Sequence, residues 1–347
     1  MDHEENYLRA IEFRHPEFIP ISVSLMPATW AKYREDLEDV VIRHPTIFGA
    51  YKKGSRDFDK FSRNYTAGED YTDEWGCVWR NIRGGLDGQV VGHPIKSWDE
   101  VKDYEAPDPM AGHDWERIGE NLRKARAEGR LARGGGLPHG FMFQRLYYLV
   151  GFEQLMMGFA DDLPEVPVLV QKVFSHNMAV INKYLELGAN MMNFGDDMGN
   201  QTRLPISPEH FRKYLIKPCF SKLFGACKDA GAHVYLHSDG HILEIIGDLV
   251  ECGVTIINPQ IRANTLDGLV KECKGKVCVN LDLDRQLFPF CTPEDIDDHV
   301  REATIKLGSP EGGLMLHAEC EPDVPLENIE AICQSLEKYR SYYITPP

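Results

Sequence analysis

Short apolar runs bounded by glycine alternate along the chain with longer segments of helical period, most clearly after about residue 131. A β-strand followed by a helix is predicted at six of these runs: 131–137, 189–195, 233–237, 255–259, 277–281 and 313–318. A seventh strand is predicted at 18–25, after a short N-terminal helix, and we expect an eighth between residues 60 and 110. Repeated βα units predict an α/β fold, and eight of them favour a (β/α)8 TIM barrel.

The helices between these strands have recognisable boundaries. Ser207–Glu209 and Thr292–Asp295 each offer an N-cap hydroxyl, a proline at the first helical position and an acid in the first turn. Pro218 should kink the helix that begins after Ser207. Three glycines predict helix ends: Gly188, Gly231 and Gly253. A doubly wound sheet is the alternative, but its Gly-x-Gly-x-x-Gly fingerprint is absent from the sequence.

Residues 58–110 interrupt this regularity. Aromatic side chains crowd together there beside several glycines, without helical period. We interpret the segment as an irregular excursion with a hairpin that caps one end of the barrel. An aromatic core beneath a surface loop is favoured over direct contact with a substrate. The whole chain, 1–347, is then predicted to be a single barrel domain with this excursion.

Composition limits the partners of such a domain. The chain has 38 Lys and Arg against 54 Asp and Glu, a formal charge of -16, which argues against nucleic acid or an anionic membrane as a partner. There is no apolar run of roughly 18 residues that would span a bilayer, and the acidic start lacks the features of a secretory signal. We therefore expect a cytoplasmic protein. Its nine cysteines form no Cys-x-x-Cys pair, so most should be reduced and buried.

Polar residues just past the predicted strands are the candidate site, because the active site of a parallel barrel lies at the carboxyl ends of its strands. They are Asp196, Asp197, His237, Asp239, Asn258, Asn280, Asp282, His317, Glu319 and Cys320. Of the adjacent acids Asp196 and Asp197, one should face the pocket while the other caps or braces a loop.

The segment His237–His241 has the most specific signal. In an extended chain, residues two apart point the same way, so His237 and Asp239 can present an imidazole and a carboxylate to one point. Cys320 could add a thiolate, which would give three ligands and one open position, as in a catalytic zinc site. The alternative is structural: His237 bonds a neighbouring strand end, Asp239 caps a helix, and Cys320 is simply buried.

Several stretches together resemble the uroporphyrinogen decarboxylase superfamily, over nearly the whole chain. They are Tyr71–Gly76, Asn193–Gln201, Val234–Gly240, Gly253–Gln260 and Gly312–Asn328. The resemblance implies a (β/α)8 barrel and an enzyme, either a decarboxylase or a cobalamin-dependent methyltransferase. True decarboxylases of this group hold their polycarboxylate substrate with arginines in the first strand-to-helix loop. Here that loop, Ser22–Trp30, has no basic residue, which argues against a porphyrinogen substrate.

The methyltransferase branch resembles the chain at the proposed metal residues. Its thiol-methylating members bind zinc through a His-x-Cys pair and a distant cysteine. Here the pair reads His237-x-Asp239, with Cys320 in the distant region and Glu319 or His317 as alternative third ligands. A carboxylate in place of a thiolate favours a substrate that reacts at oxygen over a thiol.

The resemblance therefore implies a methyltransferase that moves a methyl group from a small methylated substrate, such as an aryl methyl ether, to the cobalt of a corrinoid protein. Zinc would activate the leaving oxygen, with Asp239 and Asp197 as catalytic groups. Asp196, Asp197 and Asn258 would bind the substrate. The alternative is a decarboxylase that acts on a smaller substrate. A carrier that only binds a corrinoid or tetrapyrrole fits the dense polar set less well, and a homodimer is left open.

Overall fold

A computed structural model describes residues 3–68 and 70–344 of the chain. It contains ten strands: β1 (Ile21–Leu25), β2 (Tyr71–Thr72), β3 (Val78–Arg80), β4 (Gln89–Gly92), β5 (Arg133–Gly134), β6 (Met191–Gly195), β7 (His233–Ser238), β8 (Ile256–Pro259), β9 (Cys278–Asp282) and β10 (Leu314–Cys320). Each of the seven strands that were predicted at defined positions is present. The prediction of an α/β fold of the (β/α)8 TIM-barrel-like class is confirmed.

Helices lie between the successive parallel strands β1 and β5 to β10. The α-helices are His3–Ile11, Pro27–Arg43, Pro45–Phe48, Trp115–Ala127, Phe143–Val150, Phe152–Ala160, Glu165–Glu186, Pro208–Phe211, Ser221–Asp229, Leu243–Cys252, Ile261–Asn264, Leu266–Cys273, Pro293–Leu307 and Leu326–Tyr339. Arg212–Phe220 forms a π-helix around Pro218, where the sequence predicted a kink, and short 3₁₀ helices span Arg63–Tyr65 and Trp98–Glu100. None of the described helices combines the length and the apolar character needed to cross a membrane.

The chain divides into two compact units. The first comprises residues 1–71, 79–89 and 260–347, and the second comprises 72–78 and 90–259. In the first unit β1, β10 and β9 pair in parallel, with Ile21 beside Leu316 and Leu314 beside Val279. In the second unit β5, β6, β7 and β8 pair in parallel in that order. That all 347 residues form one domain remains a prediction.

Two details of the strands differ from prediction. The eighth strand expected between residues 60 and 110 is replaced, in the described part of that segment, by β2, β3 and β4, which form a separate three-stranded sheet. The first strand predicted after residue 130 is reduced to β5, because the chain turns at Gly136, whose φ of 72° is costly for any other residue.

The predicted helix boundaries are observed. Ser207 Oγ accepts a hydrogen bond from the His210 amide, and Thr292 forms a full capping box with Asp295. Gly188, Gly231 and Gly253 all have positive φ where their helices end. These caps fix the lengths of the helices, and so fix which residues stand at the carboxyl ends of the strands.

Candidate functional site

The polar residues of the second unit converge at the carboxyl ends of its strands. Asp196 and Asp197 directly follow β6, His237 is the fifth residue of β7, and Asp239 follows that strand. Asn258 lies in β8 beside His237, with which it is in register. The alternation of β7 buries Val234, Leu236 and Ser238 on one face, so His237 projects from the other.

Two glycines bring the loops after β6 and β7 into contact. A Cβ added at Gly240 would lie only 2.2 Å from the carbonyl oxygen of Gly199, so the backbones pass each other without side chains between them. The loops are joined by hydrogen bonds from Gly199 N to Asp239 O (3.3 Å) and from His241 N to Asn200 O (2.7 Å). This contact places Asp197 and Asp239 next to each other.

Asp197 lies between two imidazoles. Its Oδ2 is 3.0 Å from His139 Nε2, and its Oδ1 is 3.7 Å from His237 Nε2. One ligand atom from each of these three residues falls within 4.8 Å of the other two. The Asp197 and His237 side chains are about a quarter exposed, whereas that of His139 is half exposed. The group is therefore reachable from solvent on the His139 side.

His237 is held from both ends of its ring. Nδ1 is 2.7 Å from Asn258 Oδ1, and Nε2 is 3.2 Å from Asp239 Oδ1. Burial opposes its charged form, but the hydrogen bond to Asp239 and the charges of Asp239 and Asp197 prevail and raise the pKa of His237 to about 9. Asn258 Oδ1 accepts a hydrogen bond from the Nδ1–H group of His237, and the Nε2 atom faces Asp197 and Asp239.

Burial and hydrogen bonding also have opposite effects on the pKa values of His139 and Asp197. Burial works against the charged form of His139, but its hydrogen bond to Asp197 prevails and raises the pKa of that imidazole. Burial also works to raise the pKa of Asp197, and the hydrogen bond and charge of His139 overcome it, so the pKa is lowered. The carboxylate is therefore ionised at neutral pH.

Asp196 has a different environment from its neighbour. It is fully buried, and its carboxylate accepts hydrogen bonds from Phe143 N (2.6 Å) and Gln144 N (2.9 Å) at the start of the helix Phe143–Val150. Burial raises its pKa to about 7 in spite of these two donors. Asp196 thus fixes a helix end while Asp197 faces the group, which is the division of roles that the adjacent acids predicted.

The donor atoms suit a metal ion. Two imidazole nitrogens and a carboxylate oxygen are the ligands of many catalytic zinc sites, which leave a fourth position open. Ligand atoms about 2.0–2.1 Å from a tetrahedral zinc are separated by roughly 3.3 Å. The distances of 3.0, 3.2 and 3.7 Å among His139, Asp197, His237 and Asp239 are close to that value.

The candidates of the first unit have other partners. Glu319 Oε1 accepts a hydrogen bond of 2.5 Å from Arg285 Nη1, and His317 Nδ1 is 2.9 Å from Ser22 Oγ. Asp282 is buried in β9, and Asn280 is half-buried in the same strand. None of these residues belongs to the group of potential metal ligands found among the described residues.

Cys320 is not past its strand but is the last residue of β10. It lies on the same face as Leu316 and Ala318, opposite to His317 and Glu319, and is fully buried. Burial raises the pKa of its thiol well above the usual range. All nine cysteines are free thiols, eight of them buried. The structure brings His237 and Asp239 together, as predicted, but neither Asp239 nor Cys320 belongs to the group of potential metal ligands found among the described residues.

His139 and Gln144 were not among the site residues predicted from the sequence. His139 lies in the loop after β5, which is anchored to β6 by a hydrogen bond from Gly140 N to Gly195 O (2.8 Å). The rule that selected the other residues, polar groups just past a strand, applies equally to this loop and would have found His139. Gln144 lies inside a helix, where sequence offers no comparable signal.

Comparisons with known proteins agree with this architecture. A sequence model of the uroporphyrinogen decarboxylase (URO-D) family matches residues 83–339. A solved methyltransferase from Methanosarcina mazei is 15% identical, with a TM-score of 0.64, over 97% of this chain and 98% of its own. At this identity the likeness shows a shared fold alone.

Two further structures are more distant. A B12-independent methionine synthase from Shewanella sp. W3-18-1 is 13% identical (TM-score 0.38), over 63% of this chain and 64% of its own. A D-psicose 3-epimerase from Clostridium cellulolyticum H10 is 9% identical (TM-score 0.41), over 67% of this chain and 85% of its own. A search of curated proteins found no match.

Proposed function

We propose that this chain, which belongs to the uroporphyrinogen decarboxylase family, is a methyltransferase that removes a methyl group from a small methylated compound. The methyl acceptor is the cobalt of a corrinoid bound to a separate protein, and the substrate class is an aryl methyl ether. The observation that carries the proposal is the convergence of His139, Asp197 and His237. The shared fold with a methyltransferase over 97% of the chain supports it.

These three residues would hold zinc, with Asp239 beside them. A zinc ion bound there supplies a Lewis acid for the negative charge that develops on the ether oxygen as its bond to the methyl carbon breaks. An ether is a poor leaving group, so this charge is the main part of the barrier. A donor set of nitrogen and oxygen, without a thiolate, suits a substrate that reacts at oxygen.

The residues around the group have separate parts in this proposal. Asn258 keeps His237 Nε2 turned toward Asp197, and is a positioning residue rather than the substrate contact that we expected from sequence. Asp196 likewise supports the site from a fully buried position. We place the substrate beside Asp239, which is partly buried, and on the exposed side of His139.

Decarboxylation of a small carboxylic acid is a second candidate, favoured by the raised pKa of His237. With a pKa of about 9, this imidazole carries a proton at neutral pH when no metal occupies the group. Loss of CO2 leaves an electron pair on carbon, and Nε2 of His237 could deliver its proton to that carbon. This chemistry needs His237 as an acid, whereas the methyltransferase needs it as a neutral ligand.

The experiment that separates the two candidates measures metal content and turnover together. Purified protein is assayed for zinc and for iron, since two histidines and a carboxylate also suit Fe(II). Reduced cobalamin or a reduced corrinoid protein is then mixed with a panel of methyl ethers, methylamines and S-methylated thiols, and formation of methylcobalamin is followed by absorbance. His210→Ala, at a partly exposed helix start outside the group, serves as the matched histidine control.

We expect about one metal ion per wild-type chain, methylcobalamin formation from at least one ether, and loss of both in His139→Ala and His237→Ala but not in His210→Ala. Metal-free wild-type protein that releases CO2 from small acids would select the decarboxylase. A metal-bound protein that is inactive toward the whole panel, with a competent partner, would refute the methyltransferase proposal.

A further inference from the structure

The side chain of Gln144 engages Asp197 with both ends of its amide. Nε2 donates to Asp197 Oδ2 (3.1 Å), and Oε1 accepts from the Asp197 backbone N–H (3.0 Å). Gln144 is 6% exposed, so water does not compete effectively for either bond. One amide therefore fixes both the backbone and the carboxylate of a single residue of the group.

The backbone of Gln144 is itself fixed by the residue before Asp197. Its N–H and that of Phe143 donate to the buried carboxylate of Asp196. Asp196 N in turn donates to the carbonyl oxygen of His237, at 3.0 Å. A Cβ added at Gly140 would lie 2.8 Å from Gln144 Cβ and 3.0 Å from its Oε1, so glycine at this position makes room for the Gln144 side chain. The start of the helix and the pair Asp196–Asp197 thus form one rigid connection.

The oxygen atoms of Asp197 have different partners. Oδ1 accepts the backbone N–H of Asp239 (2.9 Å), and Oδ2 is shared by Gln144 and His139. If His139 uses Nε2 as a lone-pair donor to a metal, that nitrogen no longer donates a hydrogen bond to Oδ2. Gln144 then remains as a protein donor to that oxygen, and it keeps the carboxylate from rotating.

We propose that Gln144 is a positioning residue of the metal group, which sets the orientation of the Asp197 carboxylate toward the ion. The inference rests on the proposed function, in that Asp197 is taken as a metal ligand. Outer partners of metal ligands contribute 10–100-fold to metal affinity in comparable sites. Gln144 does not touch the metal, so its removal changes the affinity and the geometry of binding without removing a ligand.

The test replaces Gln144 by methionine, which keeps most of its volume but has no amide. Metal-free protein is titrated with Co²⁺, whose visible absorption reports the geometry of its ligands, and with Zn²⁺ in competition. We expect Gln144→Met and Gln144→Ala to bind about 10–100-fold more weakly, with an altered Co²⁺ spectrum. Gln171→Ala, at an exposed helical position where the side chain bonds Ser175, should match wild type.

Hydrogen exchange of the metal-free protein gives a second readout that does not depend on metal. In Gln144→Met the backbone amides of Asp197 and Asp239 should exchange faster than in wild type. The Asp197 amide loses its acceptor, Gln144 Oε1, and the Asp239 amide donates to an Asp197 carboxylate that has become free to rotate. If wild type binds no metal but Gln144→Met still exchanges these amides faster, the metal site is refuted while the positioning of Asp197 by Gln144 is supported. Wild-type affinity, Co²⁺ spectrum and exchange in Gln144→Met would overturn the inference.

Discussion

The strand ends of the two units carry similar residues but balance their charges differently. Those of the first unit present Asp284 and Glu319, each bonded to an arginine, Arg262 or Arg285. Those of the second unit present Asp197 and Asp239, which pair with His139 and His237. A guanidinium is permanently charged and has no lone pair to offer a metal, whereas an imidazole can lose its proton and become a ligand.

Whether a strand-end carboxylate pairs with arginine or with histidine tells more about function than the number of polar residues at the strand ends. Sequence analysis treated both sets of strand ends alike, because both are rich in acids and histidines. An arginine balances the charge of a carboxylate and fills its hydrogen-bonding capacity within the protein, so that the carboxylate has a structural role. A carboxylate paired with histidine can instead bind a metal ion together with the imidazole, once the imidazole has lost its proton.

Removal of the shared carboxylate should have the largest effect. Asp197→Ala deletes the side chain that lies between both imidazoles, and we expect zinc affinity to fall at least about 100-fold, since even outer partners contribute 10–100-fold. Titration with a competing chelator measures it. The matched variant Glu319→Ala, whose carboxylate is bonded to Arg285, should retain wild-type affinity. Equal losses in both variants would remove the distinction between the two units.

The second effect is a dependence of stability on pH in the metal-free protein. The pKa of His237 is raised to about 9 from 6.5, so the stabilisation from its charged form is fully present below pH 6.5 and is lost as pH rises through 9. We expect this contribution to be on the order of 2–3 kcal/mol. Urea unfolding at pH 7 and pH 9.5 measures it as the difference between wild type and His237→Gln. Parallel pH profiles for the two proteins would contradict the assignment.

A smaller effect is expected from adding one methyl group behind His139. A Cβ at Gly195 would lie 2.5 Å from His139 Nδ1, so Gly195→Ala should push the imidazole out of the group and weaken metal binding about 10–100-fold. Gly225→Ala is the control, because its Cβ would meet nothing within 4 Å in the helix Ser221–Asp229. That variant should gain roughly 0.5–1 kcal/mol of stability with unchanged metal affinity. Undisturbed binding in Gly195→Ala would show that His139 is not a ligand.

Local signals predicted the fold well, because helix caps and the alternation of strands depend on residues that are close together in the sequence. Ser207, Thr292 and Gly253 each act at the positions where the sequence placed them. The site was predicted only in part. His237 and Asp239 are two residues apart and share one extended segment, so their proximity follows from local geometry. His139 and Gln144 reach Asp197 only through the packing of a helix start against β6, which no local pattern encodes.

Cys320 shows that the exact end of a strand decides whether a residue can belong to the site. The predicted strand stopped at residue 318, so Cys320 was expected beyond it, whereas β10 continues to Cys320. Two further residues of extended chain assign Glu319 and Cys320 to opposite faces. The thiol therefore shares the buried face of Leu316 and Ala318. An error of two residues in a strand boundary is enough to exchange a proposed ligand for a core residue.

The smallest predicted effect follows from that placement. Cys320→Ala removes one buried sulfur, so we expect a loss of about 1 kcal/mol of stability from the small cavity, and unchanged metal content and Co²⁺ spectrum. The native thiol should also resist labelling by a thiol reagent until the protein is unfolded, since burial raises its pKa and blocks access. A sulfur ligand would instead give Co²⁺ an intense thiolate-to-metal absorption band that Cys320→Ala abolishes. That band would return Cys320 to the metal site, and the nitrogen and oxygen donor set that favours an ether substrate would have to be abandoned.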